Sequence, residues 1–181
     1  MKACLGPLGL IAILLVFSTG TTARVDGGPP SRIAIGGQEL HLAGCTVREL
    51  LWADLYSLAL YLPEKMPQRV MFDDRDWARA VRLQILWNGY MPETFPSVWR
   101  EAFDKRAPYL VPQMEVLYAA LRPGDDVWIS YVPESGSHIA VNGIEALHRG
   151  GVEPMASLLH IWSREQMLPT ALDDVTQTTG C

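Results

Sequence analysis

Alternating apolar and polar positions in the first part of the chain predict antiparallel strands. Residues 33–42 read IAIGGQELHL, two short alternating stretches on either side of a glycine pair. This arrangement is typical of a β-hairpin, and Gly44 is predicted to end its second strand. The stretch 47–62 finishes in the apolar run LALYL before Pro63, so its second half is predicted to be a buried strand. For residues 48–54 the pattern leaves strand and helix open.

The second part of the chain combines strand patterns with helical ones. Clean alternation predicts three strands, at residues 81–87, 126–132 and 137–141. Apolar positions at helical spacing predict four helices, at residues 97–107, 112–121, 153–163 and 169–176. The strand–helix–strand alternation of a parallel sheet is not seen. The predicted class is therefore α+β, with an antiparallel sheet and clustered helices.

The N-terminus has the pattern of a secretory signal peptide. Lys2 precedes an apolar run from Leu8 to Phe17, and small residues lead up to Ala23. The run is shorter than the roughly 20 residues that a membrane-spanning helix needs. Residues 1–23 are therefore interpreted as a signal peptide that is cleaved after Ala23. The mature protein is expected to be periplasmic or secreted, without stable insertion in a membrane.

Length and charge narrow the classes of partner. The chain has 181 residues and a formal net charge of −5. Such a length suits one domain with a sizeable core. We interpret residues 24–35 as a flexible lead-in with the first strand, and residues 36–180 as that domain. The acidic balance argues against nucleic acid, whose binding depends on neutralising phosphates with Lys and Arg.

Cysteines and histidines offer little metal or redox chemistry at the level of sequence. Cys45 and Cys181 would remain after cleavage, and in an oxidising compartment they could form a disulfide. The alternative is a small buried Cys45 and a separate, exposed Cys181. Cysteine and histidine spacings do not match a zinc site, so no metal and no cofactor is predicted. The histidines are interpreted as structural or solvent-facing: His41, His138, His148 and His160.

Three segments are notable for their order and spacing. The first joins Gly44 and Arg48 to LYSLALYLP, the second is RPGDDVWISYVPESGSHIAVNG, and the third is GGVEPMASLLHIW. Together they resemble the bacterial chalcone isomerase-like domain, over about residues 36–180. The resemblance implies an antiparallel sheet with a layer of helices on one face and a cleft for a small, largely apolar ligand between them. The chain departs from the family after IW, where SREQMLP replaces a glycine-containing turn.

The resemblance implies ligand-binding roles for Arg48 and Tyr56. In the family, the arginine ahead of the YL strand points into the cleft and holds an oxyanion or carboxylate, which suits the permanent charge of guanidinium. The alternative is a surface arginine paired with Glu49 or Asp54. Tyr56 corresponds to a threonine that orients the reacting group in plant chalcone isomerases. Its hydroxyl could donate a hydrogen bond, or its ring could simply fill the core.

The plant isomerase constellation is incomplete in this sequence. Plant enzymes use a tyrosine and an asparagine seven residues apart, whereas here Ser97 stands at that spacing from Tyr90. The sequence therefore favours an exported, non-catalytic protein that binds a small apolar ligand, acyl or phenolic, with an acidic or carbonyl head group. Two alternatives stay open. One is an intramolecular lyase or isomerase of the chalcone isomerase type, and the other is a structural or interaction protein with a vestigial cleft.

Overall fold

A computed structural model describes residues 28–50, 53–64, 76–89 and 93–164. The strands are β1 (Arg32–Ile35), β2 (Gln38–Leu50), β3 (Ala53–Leu62), β4 (Arg79–Ile85), β5 (Asp126–Val132), β6 (Gly136–Val141) and β7 (Ile144–Arg149). The helices are α1 (Ser97–Arg106), α2 (Val111–Ala120) and α3 (Glu153–Arg164), with a 3-10 turn at Pro108–Leu110. The predicted signal peptide and the predicted helix 169–176 lie outside the described residues. Those described contain no helix long and apolar enough to cross a membrane.

The seven strands form one antiparallel sheet in the order of the sequence, from β1 to β7. Helices α1 and α2 lie in the connection between β4 and β5, and α3 follows β7. Helix α3 contacts α1 and also strands β5 and β6, which brings the helices together over the sheet. This architecture confirms the predicted α+β class with helices on an antiparallel sheet.

Alternation along the strands gives the sheet two distinct faces. On the helix face, Leu58, Leu60 and Val81 join the large core that α1, α2 and α3 complete. On the opposite side, which we call the far face, Ala59 and Tyr61 belong to a smaller buried cluster. Because neighbouring residues of a strand point to opposite sides, the face of every described strand residue follows from the register.

The helices contribute to the core largely as the apolar spacing predicted. The buried apolar residues of α3 include Met155, Leu158, Leu159 and Trp162. Helix α2 buries Met114 and Tyr118, and α1 buries Phe103. The same spacing predicts Val98 on the inward stripe of α1, and this is wrong, because Val98 is 43% exposed. The inward side of α1 passes through Trp99 and Phe103 instead, so Val98 falls at its solvent edge.

Three strands differ from the prediction. Strand β4 covers Arg79–Ile85 rather than residues 81–87. Strand β2 does not end at Gly44, because a register shift at Ala43 absorbs one residue and Gly44 pairs with Leu60. A β-bulge of this kind keeps a long strand paired while bending it. Strand β7 was not predicted at all. It is an edge strand with mostly exposed side chains, and a bulge at Ala146 interrupts its alternation.

Candidate functional site

Arg48 and Tyr56 are neighbours across the hairpin that β2 and β3 form. The two residues lie directly opposite each other in the register. Opposed residues of antiparallel strands point to the same face, with Cβ atoms about 4.5–5.5 Å apart. Tyr56 packs against the helix-side core. Arg48 therefore lies on the helix face as well, beside an aromatic ring and a hydroxyl.

A bulge next to this pair separates Arg48 from its acidic neighbours. Glu49 pairs with Asp54, so Leu55 is the extra residue on β3. Both acidic side chains are exposed, whereas Arg48 and Tyr56 are half-buried. Within the described residues, Arg48 forms no ion pair with Glu49 or Asp54. A half-buried guanidinium on an apolar face of the sheet is well placed to meet an anion from outside the chain.

The helix face carries a second arginine, which no sequence motif indicated. Arg79 begins β4 opposite Tyr131, and it is only 1% exposed. Its guanidinium carbon lies 5.1 Å from the centre of the Tyr131 ring, a cation–π distance. Alternation contained the signal: Val81 and Leu83 point into the core, so Arg79 shares their face.

A pocket of about 160 Å³ lies on the far face of the sheet, lined by Val47, Ser57, Ala59, Arg82, Gln84 and Leu86 among others. Arg82 Nε donates to Asp126 Oδ1 at 2.8 Å, so this cation is already neutralised. The volume is below the roughly 300–1,000 Å³ of typical sites for small organic ligands. Because Val47 lines this pocket, its neighbour Arg48 points away from it.

The far face also assembles a polar cluster on the hairpin of β6 and β7. His138 lies directly opposite His148, and their rings stack with centres 4.0 Å apart. His138 Nδ1 lies 3.0 Å from Glu145 Oε2, and His138 Nε2 lies 2.8 Å from Ser135 Oγ. The hydrogen bond from His138 lowers the pKa of Glu145 below its usual value. The spacing of these residues in the sequence does not indicate a cluster. They come together only through the register of the hairpin.

Comparison with known proteins identifies the family of this chain and a solved structure of similar fold. The family described as chalcone isomerase-like matches residues 23–172. The chain belongs to this family. A solved structure of a fatty-acid binding protein from Arabidopsis thaliana is similar, with a TM-score of 0.53, 13% identity, and coverage of 80% of this chain and 97% of that chain. At this identity the likeness concerns the fold alone. No curated protein is significantly similar in sequence.

Membership of the chalcone isomerase-like family confirms the resemblance drawn from the sequence, and the structure brings Arg48 and Tyr56 together. A ligand-binding role for them stays a prediction. Cys45 is half-buried in β2 and is disulfide-bonded. Cys181 lies outside the described residues, so the pairing of these two cysteines also stays a prediction.

Proposed function

We propose that this chalcone isomerase-like protein is a non-catalytic binding protein for a small apolar ligand with an acidic or carbonyl head group. The observation that carries the proposal is the position of Arg48, half-buried on the helix face and directly opposite Tyr56. A permanently charged guanidinium in such a place is best stabilised by an anionic or strongly polar ligand atom. The Tyr56 hydroxyl would add a hydrogen bond to the same head group.

The apolar part of the ligand would lie along the helix face, whose lining is aliphatic and aromatic. Phe95, Trp99 and Tyr118 pack edge-to-face near one another on this side, at ring separations of 5.7–6.3 Å. Such side chains suit an acyl or phenolic group. The fatty-acid binding protein of similar fold is an example of this fold in a protein named for binding an acyl ligand.

Export is the second part of the proposal. We expect residues 1–23 to be removed and the mature protein to act in the periplasm or outside the cell. This part of the proposal rests on the sequence pattern of the first 23 residues, with Lys2, an apolar run and small residues before Arg24. The protein would then meet ligands that arrive from the envelope or the medium.

Binding of laurate tests the role of Arg48, with methyl laurate as the probe that lacks the carboxylate. We expect Arg48→Ala to weaken laurate binding by about 10- to 150-fold, the scale of a hydrogen bond to a charged group. Methyl laurate should be affected much less. Calorimetry or displacement of a fluorescent acyl probe gives both affinities.

Arg32→Ala is the matched control, because Arg32 is an exposed arginine on β1 that pairs with Glu39. It should leave both affinities unchanged. Equal laurate affinity for the original protein and Arg48→Ala would contradict the proposed anchor. Stereoselective closure of a chalcone above the spontaneous rate would instead support the isomerase alternative.

A further inference from the structure

We propose that the far face of the β6–β7 hairpin is a binding site for a divalent transition-metal ion such as Zn²⁺ or Cu²⁺, with His138, Glu145 and His148 as ligands. The ligand atoms of these three side chains all lie within 4.8 Å of one another. Imidazole and carboxylate together suit Zn²⁺ and Cu²⁺, and three protein ligands leave a position for water. The site is independent of the ligand proposed for the helix face.

The local backbone is built to bring these residues together. His138 pairs with His148 and Ala140 pairs with Glu145, so the bulge residue Ala146 is left over. Without that extra residue, Glu145 and His148 would point to opposite faces, since they are three positions apart in β7. The bulge turns both side chains to the far face, in line with the frequent use of bulges to re-aim functional side chains.

Ser135 orients both imidazole rings from outside the cluster. Its backbone carbonyl lies 3.0 Å from His148 Nε2. A carbonyl can only accept, so Nε2 carries the proton and Nδ1 of a neutral His148 keeps its lone pair for a metal. The Ser135 hydroxyl contacts His138 Nε2, which leaves Nδ1 of that ring towards Glu145. Outer hydrogen bonds of this kind are the usual companions of metal-binding histidines.

Metal binding requires only local adjustment. Ligand atoms around a tetrahedral Zn²⁺ lie about 3.4 Å apart, given metal–ligand distances of about 2.0–2.1 Å. Separations of up to 4.8 Å must therefore shrink towards that value, by at most about 1.4 Å, which rotation of the exposed Glu145 and His148 side chains can supply. On binding, the proton of His138 moves from Nδ1 to Nε2, and the Ser135 hydroxyl changes from donor to acceptor.

Ser135, His138 and Glu145 are also connected by hydrogen bonds in the sequence serine–histidine–carboxylate that a hydrolytic triad uses. A triad has no use for a second histidine stacked on the first, whereas a metal site does. His148→Ala therefore separates the two interpretations, because it removes a metal ligand and leaves the triad order intact. Retention of Zn²⁺ binding in this variant would count against the metal site.

Zinc titration of untagged, chelator-treated protein is the experiment, followed by calorimetry and by the shift in Tm. We expect one Zn²⁺ per chain. His138→Ala and His148→Ala should each weaken binding by at least about 100-fold, beyond the 10- to 100-fold typical of losing an outer-shell partner. Ser135→Ala should cost about 10- to 100-fold, less than either ligand variant, because only the hydroxyl is lost and its carbonyl still holds His148.

His41→Ala is the matched control, since His41 Nε2 lies 3.2 Å from Glu39 Oε1 and forms a single histidine–carboxylate pair on β2. Its zinc affinity should equal that of the original protein. Circular dichroism checks that each variant is folded. Absence of one-to-one binding at millimolar Zn²⁺, or an equal loss in His41→Ala, would overturn the proposal.

Discussion

The Tyr61 hydroxyl is a buried polar group that is expected to lower the stability of the fold. Its side chain is fully buried on the far face, and its ring centre lies 5.6 Å from that of Trp128. Within the described residues the hydroxyl has no hydrogen-bond partner. A buried hydroxyl without a partner costs about 1–3 kcal/mol relative to a satisfied one.

We therefore expect Tyr61→Phe to raise the free energy of unfolding by up to about 1 kcal/mol, or to leave it unchanged. Tyr61→Leu, the control that also removes the ring, should lower it by about 1–3 kcal/mol through lost packing. Urea denaturation measures both. A clear loss of stability in Tyr61→Phe would mean that the hydroxyl makes a favourable interaction.

The buried tyrosines also predict a dependence of stability on alkaline pH. Burial raises the pKa of Tyr61, with Arg82 opposing and Asp126 adding to the effect, and burial raises the pKa of Tyr118 as well. The folded state therefore keeps these protons above pH 10, where the unfolded chain begins to release them. The stabilisation is complete below about pH 10 and is lost as the pH rises through the raised folded values.

The variant that replaces both Tyr61 and Tyr118 by Phe should show a shallower loss of stability above about pH 10 than the original protein. Urea midpoints between pH 8 and 11 test this difference. Other groups that titrate in this range contribute equally to both proteins. Parallel decline of the two curves would show that these hydroxyls do not contribute.

The two arginines of the helix face show how far sequence could go at the scale of single residues. Arg48 stood out because a family motif surrounds it, and the strand register places it opposite Tyr56. Arg79 was overlooked because the predicted strand began at Val81, and because arginine is almost never fully buried unless it is paired. The phase of alternation in β4 nevertheless placed it on the buried face, so the period carried more information than the residue type.

At the scale of elements, Gly136 at the start of β6 offers a sharp test of the hairpin geometry. Its φ is +98°, and a Cβ added there would clash with the Arg149 carbonyl oxygen, far inside van der Waals contact. Gly143 has a φ of +79° but meets nothing within 4 Å. Both positions therefore have a backbone conformation that is strained for a residue with a Cβ, and only Gly136 adds a steric clash.

We expect Gly143→Ala to lower the free energy of unfolding by about 1–2 kcal/mol, the cost of a left-handed backbone for a residue with Cβ. Gly136→Ala should cost at least about 2 kcal/mol more, because the clash is with backbone and cannot be relieved by a side-chain rotation. Thermal or urea denaturation gives both values. Similar costs at the two positions would mean that β7 can move away from Gly136.

Elements with a buried face were predictable, and the element without one was not. The strands β3, β4, β5 and β6 and the three helices were found because burial of one side imposes a period on the sequence. Edge strand β7 is mostly exposed, and its bulge at Ala146 breaks the alternation that remains. The cluster of His138 and His148 depends on that strand, so it could not be predicted without the register.

At the scale of the whole molecule, the sheet separates two kinds of chemistry. The helix face is apolar and carries the proposed anchor Arg48, whereas the far face carries the cluster of His138, Glu145 and His148. The sheet lies between the two proposed sites. A ligand bound on one face therefore need not displace atoms or water on the other face. We therefore expect Zn²⁺ and laurate to bind without competition, and a mixed titration with either one saturating provides the measurement.

Disulfide bonding of Cys45 connects the whole fold to the predicted export. Cys45 is disulfide-bonded, and the chain contains only two further cysteines, Cys4 and Cys181. Cys4 lies within the predicted signal peptide and would be lost on cleavage after Ala23. If the mature protein begins at Arg24, Cys181 is the intramolecular partner that remains, and an oxidising compartment is where such a bond persists.

We predict a Cys45–Cys181 bond in the exported protein, and a loss of about 2–4 kcal/mol in the free energy of unfolding for Cys181→Ser. The bond would close a loop of more than about 100 residues, which restricts the unfolded chain far more than the folded one. Peptide mass spectrometry without reductant identifies the bond, and N-terminal sequencing of the same sample locates the cleavage. In reductant, Cys181→Ser and the original protein should be equally stable, because neither then has the cross-link. Alkylation of both thiols in folded, unreduced protein would disprove the bond, and a retained N-terminal segment would leave Cys4 as a competing partner.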